Sequence, residues 1–379
     1  MIPPDQSSER GYPSQDIRNQ HTRLAQSDPQ DMRNAEHPET KWSFWVEKES
    51  RRRLLSLCFL FDVHQAKYHD QSQSRASRST NVLSLLYTPC PQILWNQTSA
   101  SDWQSTLQVN YDMEPLQTVE QALSSSQSPQ FVLDRDYFTQ SLLITSLATR
   151  LPNTIPTLAL FETPLAHAYL ALHYTPLRDL LAVAGDTWIF SQKMKPPSAF
   201  KDAQSRFKTW SSSLNAAMAT KHACRILLAT LSVSCLGNPA ADGSLHRECL
   251  DLSDYWILYT SALICWGFGT RYQTPNPASG STTTWDEPFT GLSDVDVDQQ
   301  LLRSSQDAEL KAVAYLNAMQ SLTYDELLTP RASMRGETSS VIEAVLSRLE
   351  ICGVGDKCGW LVDAISVLKK IKGGRRKGF

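Results

Sequence analysis

Apolar residues recur at helical spacing through most of the chain, and this periodicity constrains the fold more than any other feature of the sequence. The segment from Trp42 to Tyr68 contains one full i, i+3, i+4, i+7 set of a helix face: Leu54, Leu57, Cys58 and Phe61. No run alternates apolar and polar residues for long enough to require a sheet, and no segment repeats at a fixed period. The sequence therefore predicts an all-α fold, a single large irregular helical bundle.

Composition divides the chain into three parts. Residues 1–40 are rich in Pro, Gln, Ser, Asp and Arg, and they carry too little apolar surface to offset the entropy of ordering, which predicts a disordered polar leader. We expect residues 41–372 to form the helical domain, with a Pro, Gly and Ser-rich loop at about 270–305, and residues 373–379 to form a basic tail.

Apolar periodicity and the positions of the prolines also predict individual helices. A short extended stretch is predicted at "LLYTP", followed by short helices that start at "QILW" and "SASDW". The longer helices are predicted at 136–150, 160–184, 199–215, 217–235, 246–268, 307–327, 338–352 and 358–372.

Charge and cysteine usage exclude several classes of protein. The net charge of −3 argues against a surface that is basic throughout, so any contact with nucleic acid needs a local patch. The eight cysteines are scattered without C-x-x-C spacing, which predicts small buried side chains in a reducing compartment and no structural zinc site. The apolar run from Trp256 to Gly269 is shorter than the roughly 20 residues that a membrane-spanning helix needs, so no membrane segment is predicted.

Motifs for ion or nucleotide binding are incomplete. The acidic run from Asp294 to Asp298 begins like a calcium loop, but Gln299 and Ser305 occupy the positions of the required glycine and acid, so a solvated acidic loop is the simpler interpretation. The glycine pairs at Gly267 and Gly353 lack the third glycine of a dinucleotide fingerprint, and we interpret them as turn or helix-end glycines. P-loop, G-x-S-x-G and H-E-x-x-H motifs do not occur.

The histidines do not form a pair with metal-ligand spacing. His167 and His173 lie six residues apart and His64 and His69 five apart, so neither pair shares a helix face. We therefore predict no catalytic residue, no metal site and no cofactor, and the chain is not expected to be an enzyme.

An arginine triplet, Arg51 to Arg53, precedes the apolar run of the first helix. Arg51 and Asp62 fall on the same face as Leu54, and an arginine on an apolar stripe usually pairs with a carboxylate. Glu47, four residues before Arg51, is the nearest candidate partner. The pattern favours a structural role for the triplet over contact with nucleic acid.

A second basic cluster closes the chain. It consists of Lys369, Lys370, Lys372, Arg375, Arg376 and Lys377. Two interpretations remain open: a nuclear-localisation or polyanion-binding signal, and a solvated helix end whose positive charges complement the helix dipole.

Three stretches together resemble the fungal-specific transcription factor domain. "WSFWVEKESRRRLLSLCFLFDVHQ" resembles the signature of that family, an acid and arginines before an apolar helix and an aspartate. "LLYTPCPQILWNQTSASDW" is similar to the segment that follows it in the subset whose DNA-binding module is a two-cysteine, two-histidine zinc finger. "HACRILLATL" and "DYWILYTSALICWGFG" are similar to two late helices of the subset. The residues that match the signature positions are Trp45, Glu49, Arg51, Arg52, Asp62, Trp95 and Trp103.

The resemblance implies an all-helical regulatory domain of a nuclear regulator of fungal genes, including genes of biosynthetic clusters. It implies a packing role for the signature residues and protein partners from the transcription machinery or a DNA-binding factor. Because the chain contains no finger-type spacing, direct sequence-specific DNA contact is doubtful. A non-transcriptional helical interaction scaffold is the alternative, and a helical enzyme with a dispersed site is a third hypothesis.

Overall fold

The computed structural model describes residues 37–74, 81–109, 116–125, 129–185, 188–189, 192–236, 252–270, 294–329, 334–351 and 358–373. Within these ranges the chain forms seventeen α-helices and one pair of two-residue antiparallel strands. The prediction of an all-α fold is confirmed.

The first half of the chain consists of one long helix followed by shorter ones. They are α1 (Pro38–Tyr68), α2 (Val82–Leu85), α3 (Gln92–Trp95), α4 (Ala100–Val109), α5 (Val119–Ser125), α6 (Pro129–Leu133), α7 (Tyr137–Ala148), α8 (Ile155–Leu158), α9 (Pro164–His173) and α10 (Leu177–Ala184).

Longer helices follow after the strands β1 (Trp188–Ile189) and β2 (Gln192–Lys193). They are α11 (Pro197–Ser211), α12 (Leu214–Leu236), α13 (Leu252–Thr270), α14 (Asp294–Ser321), α15 (Tyr324–Leu328), α16 (Met334–Ile351) and α17 (Gly359–Lys372).

Helix α12 is the centre of the packing. It contacts α9, α11, α13, α14 and α15, and α16 packs on the far side against α13, α14 and α17. One continuous apolar core runs through these helices and reaches α1, α7 and α9. Burial of apolar surface at this scale is the dominant favourable contribution to folding.

Helix α1 joins the two halves of the molecule. Its N-terminal half contacts α4, and it also packs against α7 and α9. At its end, the indole Nε1–H of Trp256 in α13 donates a 3.1 Å hydrogen bond to the carbonyl oxygen of Tyr68. The last carbonyls of a helix have no partner within the helix, so this bond satisfies one of them from a distant element.

Several predicted boundaries differ from the observed ones. The segment predicted as one helix at 160–184 is two helices, α9 and α10, because Pro176 lacks the N–H that a continuous helix requires. The loop predicted at about 270–305 ends earlier than expected, since α14 begins at Asp294 and includes the acidic run. Acids are favourable in the first turn of a helix, where they face the positive end of the dipole.

The predicted leader and tail lie mostly outside the described residues. Helix α1 begins at Pro38, so the last three residues assigned to the leader belong to that helix. Residues 1–36 and 374–379 are outside the described ranges.

The sequence predicts Gly267 to be a turn or helix-end glycine, and it lies in the last turn of α13, three residues before the helix ends at Thr270. A Cβ atom at this position would lie 2.8 Å from Cζ of Phe207 in α11. The Phe207 ring is itself buried and stacked on Trp266 at a centroid distance of 6.0 Å. The glycine therefore permits close packing of α11 on α13. Gly353 lies outside the described residues.

Candidate functional site

The side chain of Glu49 in α1 is completely buried, with 0% of its surface exposed. A buried carboxylate without partners costs several kcal/mol, so its environment must supply donors. Arg53 Nε lies 3.2 Å from Oε1, and the backbone N–H of Cys90 donates to the same oxygen over 2.8 Å. Arg52 Nη1 lies 3.5 Å from Oε2. These four residues, Glu49, Arg52, Arg53 and Cys90, are called the Glu49 cluster.

Arg53 connects α1 to the segment that precedes α3. Its Nη2 donates to the carbonyl oxygen of Cys90 over 3.0 Å, and only 11% of its side chain is exposed. The guanidinium lies over the ring of Trp95 at 4.6 Å and over that of Phe138 at 5.4 Å. A guanidinium suits such a place because its plane stacks on aromatic rings while its edge donates hydrogen bonds.

Most of the signature residues meet at this cluster. The Trp45 ring lies 5.4 Å from that of Trp103 and 6.3 Å from that of Trp95, centroid to centroid. Aromatic pairs at these distances add to the energy of simple burial. The structure thus brings Trp45, Glu49, Arg52, Trp95 and Trp103 together, and leaves Arg51 and Asp62 outside the group.

Arg51 and Asp62 share a face of α1, as predicted, but that face is directed to solvent. Arg51 pairs with Glu47, the partner expected from the sequence, and both side chains are exposed. The Asp62 carboxylate accepts hydrogen bonds from the backbone N–H of Ser74 at 3.1 Å. The prediction that Arg51 lies against the core is wrong, because α1 buries the opposite side.

The buried arginine, Arg53, was missed because α1 carries two apolar stripes. The stripe that faces the core begins at Glu49. Arg53, Ser56, Leu60 and Val63 follow at 4, 7, 11 and 14 residues after it, so all five lie on one face of the helix. The sequence signal for this contact was the pair Glu49 and Arg53, a carboxylate and an arginine four residues apart at the N-terminal end of that stripe.

The other apolar stripe of α1 is exposed. It contains Leu54, Leu57, Cys58 and Phe61 and is called the α1 stripe. The exposed fractions are 61% for Leu54, 52% for Leu57 and 66% for Phe61. A row of large exposed apolar side chains on one helix is typical of a surface that contacts another molecule.

Burial disfavours the thiolate form of Cys90. Burial, together with the nearby Glu49 carboxylate, raises the pKa of Cys90 to about 12. A thiol is reactive as a thiolate, and this one stays protonated at neutral pH. The contacts of the Glu49 cluster are ion pairs, hydrogen bonds and packing contacts.

A second buried polar group joins α9 to α12. His222 Nδ1 lies 3.3 Å from Nδ1 of His167. The other ring nitrogen of His167, Nε2, lies 3.2 Å from the Glu162 carboxylate. That carboxylate also lies 3.5 Å from the Arg225 guanidinium. The sequence had indicated isolated histidines, because His167 and His222 are 55 residues apart and no local spacing relates them.

Burial keeps these imidazoles neutral. It lowers the pKa of His222 to about 3, with His167 and Arg225 adding to the effect, and it also lowers the pKa of His167. In α1, burial and the nearby His69 lower the pKa of His64 to about 4. A general base for neutral pH needs a pKa near 7, and these values move away from that range.

The C-terminal basic residues fall into three sets. Lys369 pairs with Glu350 and Lys372 with Glu343, each at 2.7 Å, so these two lysines join α17 to α16. Lys370 is exposed. Arg375, Arg376 and Lys377 lie outside the described residues.

In the described ranges, no group of three or more His, Cys, Asp or Glu side chains is arranged to bind a metal ion. None of the helices in those ranges is both long enough and apolar enough to cross a membrane.

Replacing Glu49 tests whether the Glu49 cluster stabilises the fold. We expect Glu49→Gln to lower the free energy of unfolding by about 3 kcal/mol, because it leaves the Arg53 guanidinium buried without its counter-charge. Glu47→Gln is the matched control, since it removes an exposed ion pair on the same helix and should cost less than about 1 kcal/mol. Urea denaturation measures both values. Equal losses in the two variants would contradict the assignment.

Mild acid should destabilise the protein, at pH values that are still too high to protonate most carboxylates. The folded-state pKa values of His222 and His64 lie below the unfolded value of about 6.5, so the unfolded chain takes up protons first as the pH falls. We expect each of the two histidines to remove about 2 kcal/mol of stability between pH 7.5 and pH 5. Denaturation at several pH values measures the loss. His222→Gln should show a smaller loss than the unmodified chain, and an identical pH profile would refute the contribution of His222.

No protein-family model, curated protein or solved structure matches the chain.

Proposed function

We propose that this chain is the helical regulatory module of a nuclear transcription regulator that acts on fungal gene expression through protein contacts. The α1 stripe carries the proposal, because it exposes a row of apolar side chains on a helix that is fixed to the core from its other side. The resemblance of the signature segment supports the transcriptional role, and most of its residues meet in one packed group.

The geometry of the stripe favours a helical partner. Leu54 and Phe61 lie seven residues apart, or about 10 Å along the helix, which is the length of two turns of a partner helix packed alongside. Arg51 lies near one end of the stripe and Asp62 near the other. A partner helix with an apolar face, an acidic residue at one end and a basic residue at the other would therefore be held in one direction.

A reporter assay tests the contact. Fused to a heterologous DNA-binding domain in fungal cells, the chain should change the expression of a reporter, and Leu57→Glu with Phe61→Glu should return the reporter to background. The physical reason is that two buried charges at an apolar contact cost more than the contact gains. Neither substitution touches the core, so circular dichroism should show an unchanged helical content.

Leu160→Glu is the matched control, because Leu160 is an exposed leucine in the turn that follows α8, away from the α1 stripe. A stripe variant that acts like the unmodified chain would overturn the role of the α1 stripe. If the unmodified chain forms dimers and the stripe variant is monomeric, the α1 stripe is covered by a second copy of the chain and not by a partner protein.

Nuclear entry distinguishes this proposal from the scaffold alternative. We expect a fluorescently tagged chain to accumulate in the nucleus, and Arg375→Ala, Arg376→Ala and Lys377→Ala together to abolish the accumulation. A basic import signal must be free to bind its receptor, and the lysines at 369 and 372 are paired with α16. Lys369→Ala with Lys372→Ala is therefore the control and should remain nuclear. A tagged chain that stays cytoplasmic in all forms favours the scaffold.

A further inference from the structure

A cavity of about 490 Å³ opens between the end of α1, the end of α9 and the start of α10. This volume falls within the range of small-molecule sites in proteins. One wall is apolar and contains Leu151, Tyr169, Leu172 and Leu177. The Tyr169 ring is fully buried and its hydroxyl is 2.9 Å from that of Thr145, which holds this wall in place.

Two cationic side chains also line the cavity. Lys67 and Arg178 both line the cavity, and neither forms an ion pair with any residue in the described part of the chain. Lys67 is half-buried, and burial lowers its pKa. A half-buried ammonium group without a counter-ion is unfavourable, and an anion in the cavity would compensate it.

The acidic residues of the cavity do not cancel this charge. Asp179 is held by Arg206 through two hydrogen bonds of 2.9 and 2.6 Å, so its carboxylate is already neutralised. Asp70 is exposed at the edge and is the remaining carboxylate of the lining. The remaining titratable groups of the lining are His173 and Tyr169. Burial, followed by the nearby Lys67, lowers the pKa of His173, and burial raises the pKa of Tyr169, so both favour the neutral form. The cavity therefore keeps a positive balance.

The start of α10 also lies at the cavity, and its first turn already contains one acid, Asp179. Pro176 is the residue before this helix, and no side chain caps the helix there. The first N–H groups of a helix have no partner within it, and they carry the positive end of its dipole. Leu177 and Arg178, in that first turn, lie on the cavity wall.

We propose that this cavity binds a small organic acid, with its carboxylate at Lys67 and Arg178 and its apolar body against Leu151 and Leu172. The combination of apolar and cationic lining residues selects a molecule that has both an apolar body and a negative group, and disfavours inorganic phosphate, which has no apolar part. Binding to the purified chain does not depend on the proposed role in transcription, so the two proposals can fail separately.

Calorimetry on the full chain with matched ligands tests the site. The probes are three acids, 2-naphthoate, phenylacetate and octanoate, and one neutral analogue, 2-naphthalenemethanol. We expect at least one acid to bind, and 2-naphthoate to bind more tightly than the alcohol of the same shape. Failure of all three acids to bind up to their solubility limits, or equal affinity for naphthoate and the alcohol, would overturn the proposal.

Variants locate the contact. Lys67→Met should weaken binding of the acid by about tenfold, which corresponds to about 1.4 kcal/mol, and should leave the alcohol unchanged. Lys67→Arg retains the charge and should retain binding, and Lys208→Met is the control at an exposed lysine of α11. Arg178→Met tests the same contact at an exposed position, where folding is not at risk. Unchanged affinity in both Lys67→Met and Arg178→Met would refute the proposed contact.

Discussion

The buried carboxylate of Glu49 sets the position of the first helix. An ionised group at 0% exposure has to receive donors from the protein, and here they come from its own helix and from the backbone of Cys90. The N–H of Cys90 donates to Glu49 while its carbonyl accepts from Arg53, so both backbone groups of one residue are used. This arrangement fixes the rotation of α1 about its axis. The rotation in turn decides which of the two apolar stripes of α1 is covered and which remains in contact with solvent.

The secondary structure could be predicted because its signals are local. Helices α7, α11, α12, α16 and α17 lie close to their predicted ranges, and the short helices α3 and α4 begin near the predicted "QILW" and "SASDW". The extended stretch at "LLYTP" is present as well, where Tyr87 bridges to Thr118. Boundaries were less accurate where a single residue decides them, as Pro176 does between α9 and α10.

Which face of α1 is buried could not be predicted, because the two stripes have similar apolar content and only tertiary contacts decide between them. The set Leu54, Leu57, Cys58 and Phe61 fits a helix face as well as the set Ser56, Phe59, Leu60 and Val63 does. The interaction that selects the second set is made with Cys90, 41 residues from Glu49. The histidine contact between α9 and α12 and the cavity beside α10 depend in the same way on residues distant in sequence, so neither has a local signal.

The hydrogen bond from Trp256 to Tyr68 has a consequence during synthesis of the chain. Its two residues are 188 positions apart, so the end of α1 leaves the ribosome long before its partner in α13 is made. At 5 to 20 residues per second, this interval is about 10 to 40 s. During that time α1 carries apolar side chains on both sides with only the nearer helices available to cover one of them. The nascent chain therefore exposes apolar surface during this interval, and assembly of the full core has to wait for the second half of the polypeptide.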